Sequence, residues 1–430
     1  MKKLLIVLLG LLLMIAASGL VVSGESKEVQ VEIWSFSVIP EALKVIQDEI
    51  IPAFQKANPG IKVRWQHVPY NGFREKLLTA TAAGNPPDIA MDGSNMIGLM
   101  VKKRMAADLD KYFKKWDGRK DLLDSPMKDA MYNGKVYGMP IRFKPSPFLY
   151  RADLFQQAGL DPNKAPGNWK ELIAYGKKLT KIQDKVMIQQ GIGSLSGAKN
   201  SLIRNFELFL QQNGASFLTK DSSKPDFNNE RGLEALQFLV EAYNLSTPIG
   251  VAPVPNTQNS AFAMGKVAMV PTNGFLEIYN CIINNSTDGL KHARLALPIR
   301  GNHLKGRRAA QNDGDMLILS PACKNPDAAW KFMEFFMQRD IHLKYSIANQ
   351  TLPMLKSLIE SDYVTKTPFY KDLIKMADPY GWVLTKTPEY PEARTEVGGE
   401  IEKAVAGKIT PAEALKKSEQ IWINAIKELR

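Results

Sequence analysis

Between residues 29 and 91 the chain alternates two hydrophobic periods, and this alternation limits the fold more than any other feature. VQVEIWSF, at 29–36, repeats every second residue and is β-rich, as a strand with one buried face requires. IPEALKVIQDEIIPAFQKANPGI then sets apolar residues at helical spacing and stops at Asn58-Pro59-Gly60. IKVRWQHVPY predicts a second strand and NGFREKLLTATAAGNPP a second helix with a Gly-Asn-Pro-Pro stop. Asp88-Ile89-Ala90-Met91 predicts a short third strand. Strand, helix, strand, helix, strand in that order predicts an α/β lobe around a largely parallel sheet.

At 430 residues the chain is too long for one such core, so two lobes are expected. After the turn Tyr132-Asn133-Gly134-Lys135, the stretch VYGMPIRFKPSPFLYRADLF gives two strand-like pieces. Lys144-Pro145-Ser146-Pro147 breaks them, and reads as a crossing from lobe to lobe. NWKELIAYGKKLTKI, SLIRNFELFLQQNGASF, GLEALQFLVEAYNLS, NPDAAWKFMEFFMQ and the stretch at 399–429 are helical in period. The plain run FAMGKVAMVPTNGF predicts a helix ending at Gly265, a buried strand at 267–270 and a turn from Pro271 to Phe275. The expected lobes are 25–141 with 312–350, and 142–311 with 351–430.

Residues 1–24 read as a secretory signal: Lys2 and Lys3, an apolar run from Leu4 to Ile15, then small residues to Val22-Ser23-Gly24; an uncleaved membrane anchor is the alternative, since the apolar run continues weakly to Val22. No cysteine stands near the cleavage region, so a free periplasmic protein is expected rather than a lipid-anchored one. The formal charge is +12, and removing the two signal lysines leaves +10 (12 − 2). The chain has no long basic run, so nucleic acid is not an expected partner. In an oxidising compartment Cys281 and Cys323 either pair or stand free, and the sequence does not decide which.

No reaction is advertised. His67, His292, His303 and His342 are isolated, and there is no His-Glu-x-x-His, no Gly-x-Ser-x-Gly elbow, no Walker loop and no Gly-x-Gly-x-x-Gly. No cofactor and no metal are expected. With 44 acidic residues a glycosidase pair stays open on composition alone, but no pair stands out.

Five pieces in order carry a family resemblance. They are Ala82-Ala83-Gly84-Asn85-Pro86-Pro87-Asp88-Ile89; Asn133-Gly134-Lys135 through Tyr137-Gly138-Met139-Pro140; Leu149-Tyr150-Arg151-Ala152-Asp153-Leu154-Phe155 with Ala158-Gly159-Leu160; Phe262 to Met269 with Asn273-Gly274; and Thr410-Pro411-Ala412-Glu413-Ala414-Leu415. Through them the chain resembles the extracellular solute-binding proteins of carbohydrate ABC transporters, the class that includes maltose-binding protein. Arg151-Ala152 stands where the family usually has Asn-Lys. The resemblance implies the two-lobed periplasmic binding protein fold, class α/β, with a ligand cleft between the lobes. It also implies a monomer that delivers a sugar to an ABC permease and does no covalent chemistry. The alternatives are another solute on the same fold, or an exported glycoside hydrolase.

Sugar sites set aromatic rings against apolar sugar faces and planar polar groups against hydroxyls. Ser35 and Phe36 end the first strand, and Asp92 and Asn95 follow the third, where open α/β lobes bind ligands. Arg142 and Lys144 lie in the crossing where the resemblance places a ligand contact, commonly an acidic or small polar one. Asn273 and Phe275 follow the plain strand, near a position where the family commonly stacks a tryptophan. Gly314 falls at the next crossing. Trp382, Tyr390 and Arg394 complete the set, Arg394 falling where sugar binders of this class often carry an aromatic ring. Cations at two such positions suggest an acidic sugar, a uronate or a sugar phosphate.

Overall fold

The computed structural model describes residues 28–36, 38–193, 195, 199–246, 260–272 and 274–429. The segment read as a signal and Asn273 lie outside the described residues. The strands of the first half are β1 (Val29–Ser35), β2 (Ile61–His67), β3 (Ile89–Gly93), β4 (Met131–Tyr132), β5 (Lys135–Val136), β6 (Met139–Ser146) and β7 (Phe148–Arg151). Those of the second half are β8 (Lys181–Gln183), β9 (Val186–Ile192), β10 (Val267–Val270), β11 (Ala293–Ala296), β12 (Ala310–Leu319) and β13 (Gly381–Val383).

They form two main sheets and a small antiparallel ribbon of β4 and β5. The first runs β13-β12-β3-β1-β2, with β6 also paired to β12. β1 is parallel to β2 and to β3, as the opening alternation predicts. β12 is antiparallel to β3 and β6 and parallel to β13. The second sheet runs β11-β7-β10-β9-β8, and there only β10–β9 is parallel. "Largely parallel" therefore describes the first three strands and not the second sheet, where β7 and β11 enter from the crossings.

Local chemistry explains the elements. β3 and β10 are buried at every position, which a continuous apolar run such as Val267-Ala268-Met269-Val270 allows. The first helical stretch runs through Pro40–Val45, Ile46–Ile50 and Ile51–Ala57, and its middle is π-helical just before Pro52. Proline lacks the N–H that would bond one turn back, so the ladder widens there. The helix Trp169–Leu179 starts at Asn168, whose side chain accepts from the Glu171 amide. The closing helical stretch divides into Tyr390–Val405 and Pro411–Leu429, with Gly407 at φ 68° taking the left-handed break.

The chain crosses between sheets three times: through Pro147 from β6 to β7, between β11 and β12, and after β13. The last crossing leads into Tyr390–Val405, whose inner face (Tyr390, Ala393, Val397, Ile401) belongs to the second core. The lobe boundaries expected from sequence differ from this pairing. Arg142 and Lys144 on β6, and Gly381–Val383 of β13, pair with the first sheet and not with the second. Tyr370, Leu373 and Ala377 pack in the same core as Val31 and Ile33. Helical periodicity shows that a helix buries a face, but not which sheet covers it. Cys281 and Cys323 are both free thiols.

Candidate functional site

The parallel strands β1, β2 and β3 end together, so Ser35, His67 and Gly93 share one edge of the first sheet. β12 passes antiparallel beside β3, pairing Asp315 with Gly93 and Met316 with Asp92. On its other side β6 pairs Arg142 with Asp315 and Lys144 with Asp313. Strand register alone therefore gathers Asp92, Arg142, Lys144, Asp313, Gly314 and Asp315 where two chain crossings meet the strand ends.

Each charge there has a partner. Arg142 is ion-paired with Asp315, and Lys144 lies 3.4 Å from Asp315 and 3.7 Å from Asp313. Burial works against the Arg142 charge, and the Asp315 carboxylate more than offsets it. Burial likewise acts to raise Asp313, but Lys144 and Arg204 prevail and hold it at about 2. Arg204 is carried by Lys199–Gln212 of the second lobe, and its guanidinium sits 3.2 Å from Asp313. One ion pair thus ties the second lobe to the first sheet. Asp92 is fully buried, pushed upward by desolvation, and receives two hydrogen bonds from Arg74 at 2.8 and 3.3 Å.

A second group sits at the third crossing. Glu207 is buried on Lys199–Gln212 and accepts from the Tyr390 hydroxyl at 2.6 Å and from Thr385 at 2.8 Å. Burial still lifts its carboxyl to about 7. Arg394 donates to the Asn200 side chain at 3.1 Å and lies over the Tyr390 ring at 5.8 Å. Lys386 donates to the carbonyls of Lys128, Asp129 and Met131 at 2.6, 3.0 and 3.0 Å, closing the end of the helix Asp124–Asp129. The Asp129 carboxyl beside it is pushed up to about 7 by burial. A crevice of about 310 Å³ opens here, lined by Met131, Asn133, Gln211, Phe217, Thr385 and Thr387 from both lobes and the crossing. A larger cavity of about 540 Å³ lies between the helices Trp169–Leu179 and Glu230–Asn244 of the second lobe, touching Asn302 of the second crossing but none of the charged cluster residues. Size alone therefore does not mark the site.

The other expected residues sit as follows. Ser35 is buried and accepts from the Trp65 indole at 2.7 Å. Phe36 packs on Phe73 and Tyr70, with ring centroids 4.8 and 5.4 Å away. Asn95 is buried in the short turn Ser94–Met96, against which Tyr390–Val405 packs. Gly314 allows a close backbone approach, but to the Arg142 carbonyl: a Cβ there would lie 2.8 Å from that oxygen. Phe275 is not offered to a ligand. It faces inward on Gly274–Ile283 with Ile278 and Cys281, because the helix begins at Gly274 and turns this ring into the core. Trp382 is half-buried on β13 and packs against the second core, and Tyr390 is fully buried.

The crossing cluster thus includes four expected residues, Asp92, Arg142, Lys144 and Gly314, and the third crossing adds Tyr390 and Arg394. Arg74, Arg204, Glu207, Asp313, Asp315, Asp129 and Lys386 were not singled out from sequence. The readable signal was Asn312-Asp313-Gly314-Asp315, two carboxylates spaced to meet two cations on a facing strand.

Comparison with known proteins agrees with this geometry. A protein of Brucella abortus (strain 2308) named as a binding protein is 26% identical over 357 residues, 82% of each chain. The mannitol-binding protein of Pseudomonas aeruginosa is 22% identical over 389 residues, 85% of this chain and 87% of that one. An ABC substrate-binding protein of Listeria monocytogenes, solved in complex with cycloalternan, matches with a TM-score of 0.74 and 25% identity, over 93% of this chain and 99% of that one. Residues 38–340 match the family model for bacterial extracellular solute-binding proteins. With that match over most of its length and this two-lobed α/β fold, the chain belongs to the bacterial extracellular solute-binding protein family.

Proposed function

We propose that this protein captures a sugar or oligosaccharide between its lobes and delivers it to the permease of an ABC importer, acting by lobe closure rather than by a reaction. The observation that carries this reading is the crossing cluster, where Arg204 of the second lobe meets Asp313 on a strand of the first sheet. Such a place is remade whenever the lobes rotate, so a ligand bound there biases closure. The proposed contacts are Asp92, Asn95, Lys144 and Arg394, with Arg74, Arg204 and Asp313 as further hydrogen-bonding groups. Relatives that bind mannitol and cycloalternan support a polyhydroxylated ligand. Export to the periplasm and a monomeric state belong to the same reading.

The charge of the ligand is a narrower matter. Lys144 and Arg142 answer to Asp313 and Asp315, which favours a neutral saccharide. Arg394, whose hydrogen bond runs to the amide of Asn200, favours an acidic one, a uronate or a sugar phosphate. Isothermal titration of the mature chain with matched neutral and uronate oligosaccharides decides between them. The neutral set is expected to bind at least as tightly. Selective binding of the uronates assigns the ligand to the acidic class. Turnover of a chromogenic glycoside would overturn the transport reading.

A further inference from the structure

Tyr70 stands 60% exposed, and it is the one exposed Phe, Tyr or Trp ring among the described residues. It follows the end of β2 and opens a tight turn. Asn71 takes φ −69° and ψ 119°, and Gly72 takes φ 89° and ψ −5°. These are the angles of a type II turn, which needs glycine at its third position. A Cβ on Gly72 would meet nothing within 4 Å, so the conformation and not crowding calls for glycine. The turn separates two rings: Phe73 goes into the core at 1% exposure, while Tyr70 is held out. Phe36 lies between them and braces the edge of Tyr70 at 5.4 Å with the planes at 65°. The exposed ring is thus pre-set by a special turn and a buried neighbour.

Its surroundings are polar and fixed. Arg74 follows four residues later, clamped onto Asp92 by two hydrogen bonds. Following the end of β2, the ring stands at the same end of the first sheet as the crossing cluster. A flat apolar face beside oriented donors and acceptors matches a sugar ring, which presents C–H groups on one face and hydroxyls at its rim. The Arg74 guanidinium disfavours a cationic occupant.

We propose that Tyr70 is a stacking platform for one ring of the bound saccharide, with the Arg74–Asp92 pair beside it for that ring's hydroxyls. This rests on the sugar reading of the cleft. The test is titration calorimetry of the mature chain with mono-, di- and trisaccharides of glucose, mannose and arabinose. Tyr70→Ala is expected to weaken the best-bound saccharide by roughly two- to tenfold. Tyr70→Phe keeps the ring and is expected to stay close to wild type. Ligand-free melting is expected to stay unchanged in both, since the side chain is mostly exposed. Wild-type binding with an unchanged Kd in Tyr70→Ala overturns the platform and leaves the sugar reading intact. Equal weakening in both variants also overturns it, since the hydroxyl and not the ring face would then be the contact. Failure of the wild type to bind any of these saccharides removes both.

Discussion

Asp129 buries both carboxyl oxygens, and neither has a hydrogen-bond partner among the described residues. Its pKa rises from 3.8 to about 7, desolvation being the largest cause. A carboxyl raised in the folded state supports folding most at low pH, and that support is lost as pH climbs through about 7. Asp129→Asn is therefore expected to melt like wild type near pH 4 and above it at pH 8, in parallel thermal scans. Melting below wild type at pH 8 but not at pH 4 would show instead that the ionised carboxylate is needed. Glu207 makes the opposite case, because its oxygens are served by Tyr390 and Thr385. Tyr390→Phe removes one donor from a buried carboxyl and is expected to cost about 1–3 kcal/mol in denaturant titration. The loss should be larger above pH 7, where Glu207 is ionised, than at pH 5.

The third crossing is the element whose path is most tightly specified. Gly98 sits against it so closely that a Cβ would lie 1.7 Å from the Lys386 carbonyl oxygen. Gly98→Ala must push the segment off the first lobe, at about 1–3 kcal/mol. A melting temperature equal to wild type would contradict that packing. This element was also the hardest to read. β13 is only Gly381–Val383, too short to show a period, so its return to the first sheet left no local mark. β1, β2 and β3 were legible because each is a run of six or so residues between clear helix stops, and neighbouring parallel strands need nothing distant. The site divides in the same way. Asp92 and Lys144 were legible from their places at a strand end and a crossing. That their charges answer to Arg74, Asp313 and Asp315 depends on pairings far apart in sequence. Phe275 was misjudged because the turn after β10 winds at once into a helix, and Tyr70 was passed over because the second strand was expected to run through it.

For the whole molecule, closure is the property that the proposed function requires of this fold. The lobes are connected by three crossings and by the Arg204–Asp313 pair, which depends on their relative rotation. Arg204→Ala is expected to leave each core intact and to shift the ligand-free chain toward a more open arrangement, seen as a larger radius of gyration. Small-angle X-ray scattering of the chain from residue 25 onward, with and without the saccharide that most raises its melting temperature, tests the central claim most directly. Saturating saccharide is expected to lower the radius of gyration, and Arg204→Ala to start from a larger value and close to the same end state. Saturable binding of that saccharide with unchanged scattering would contradict capture by lobe closure.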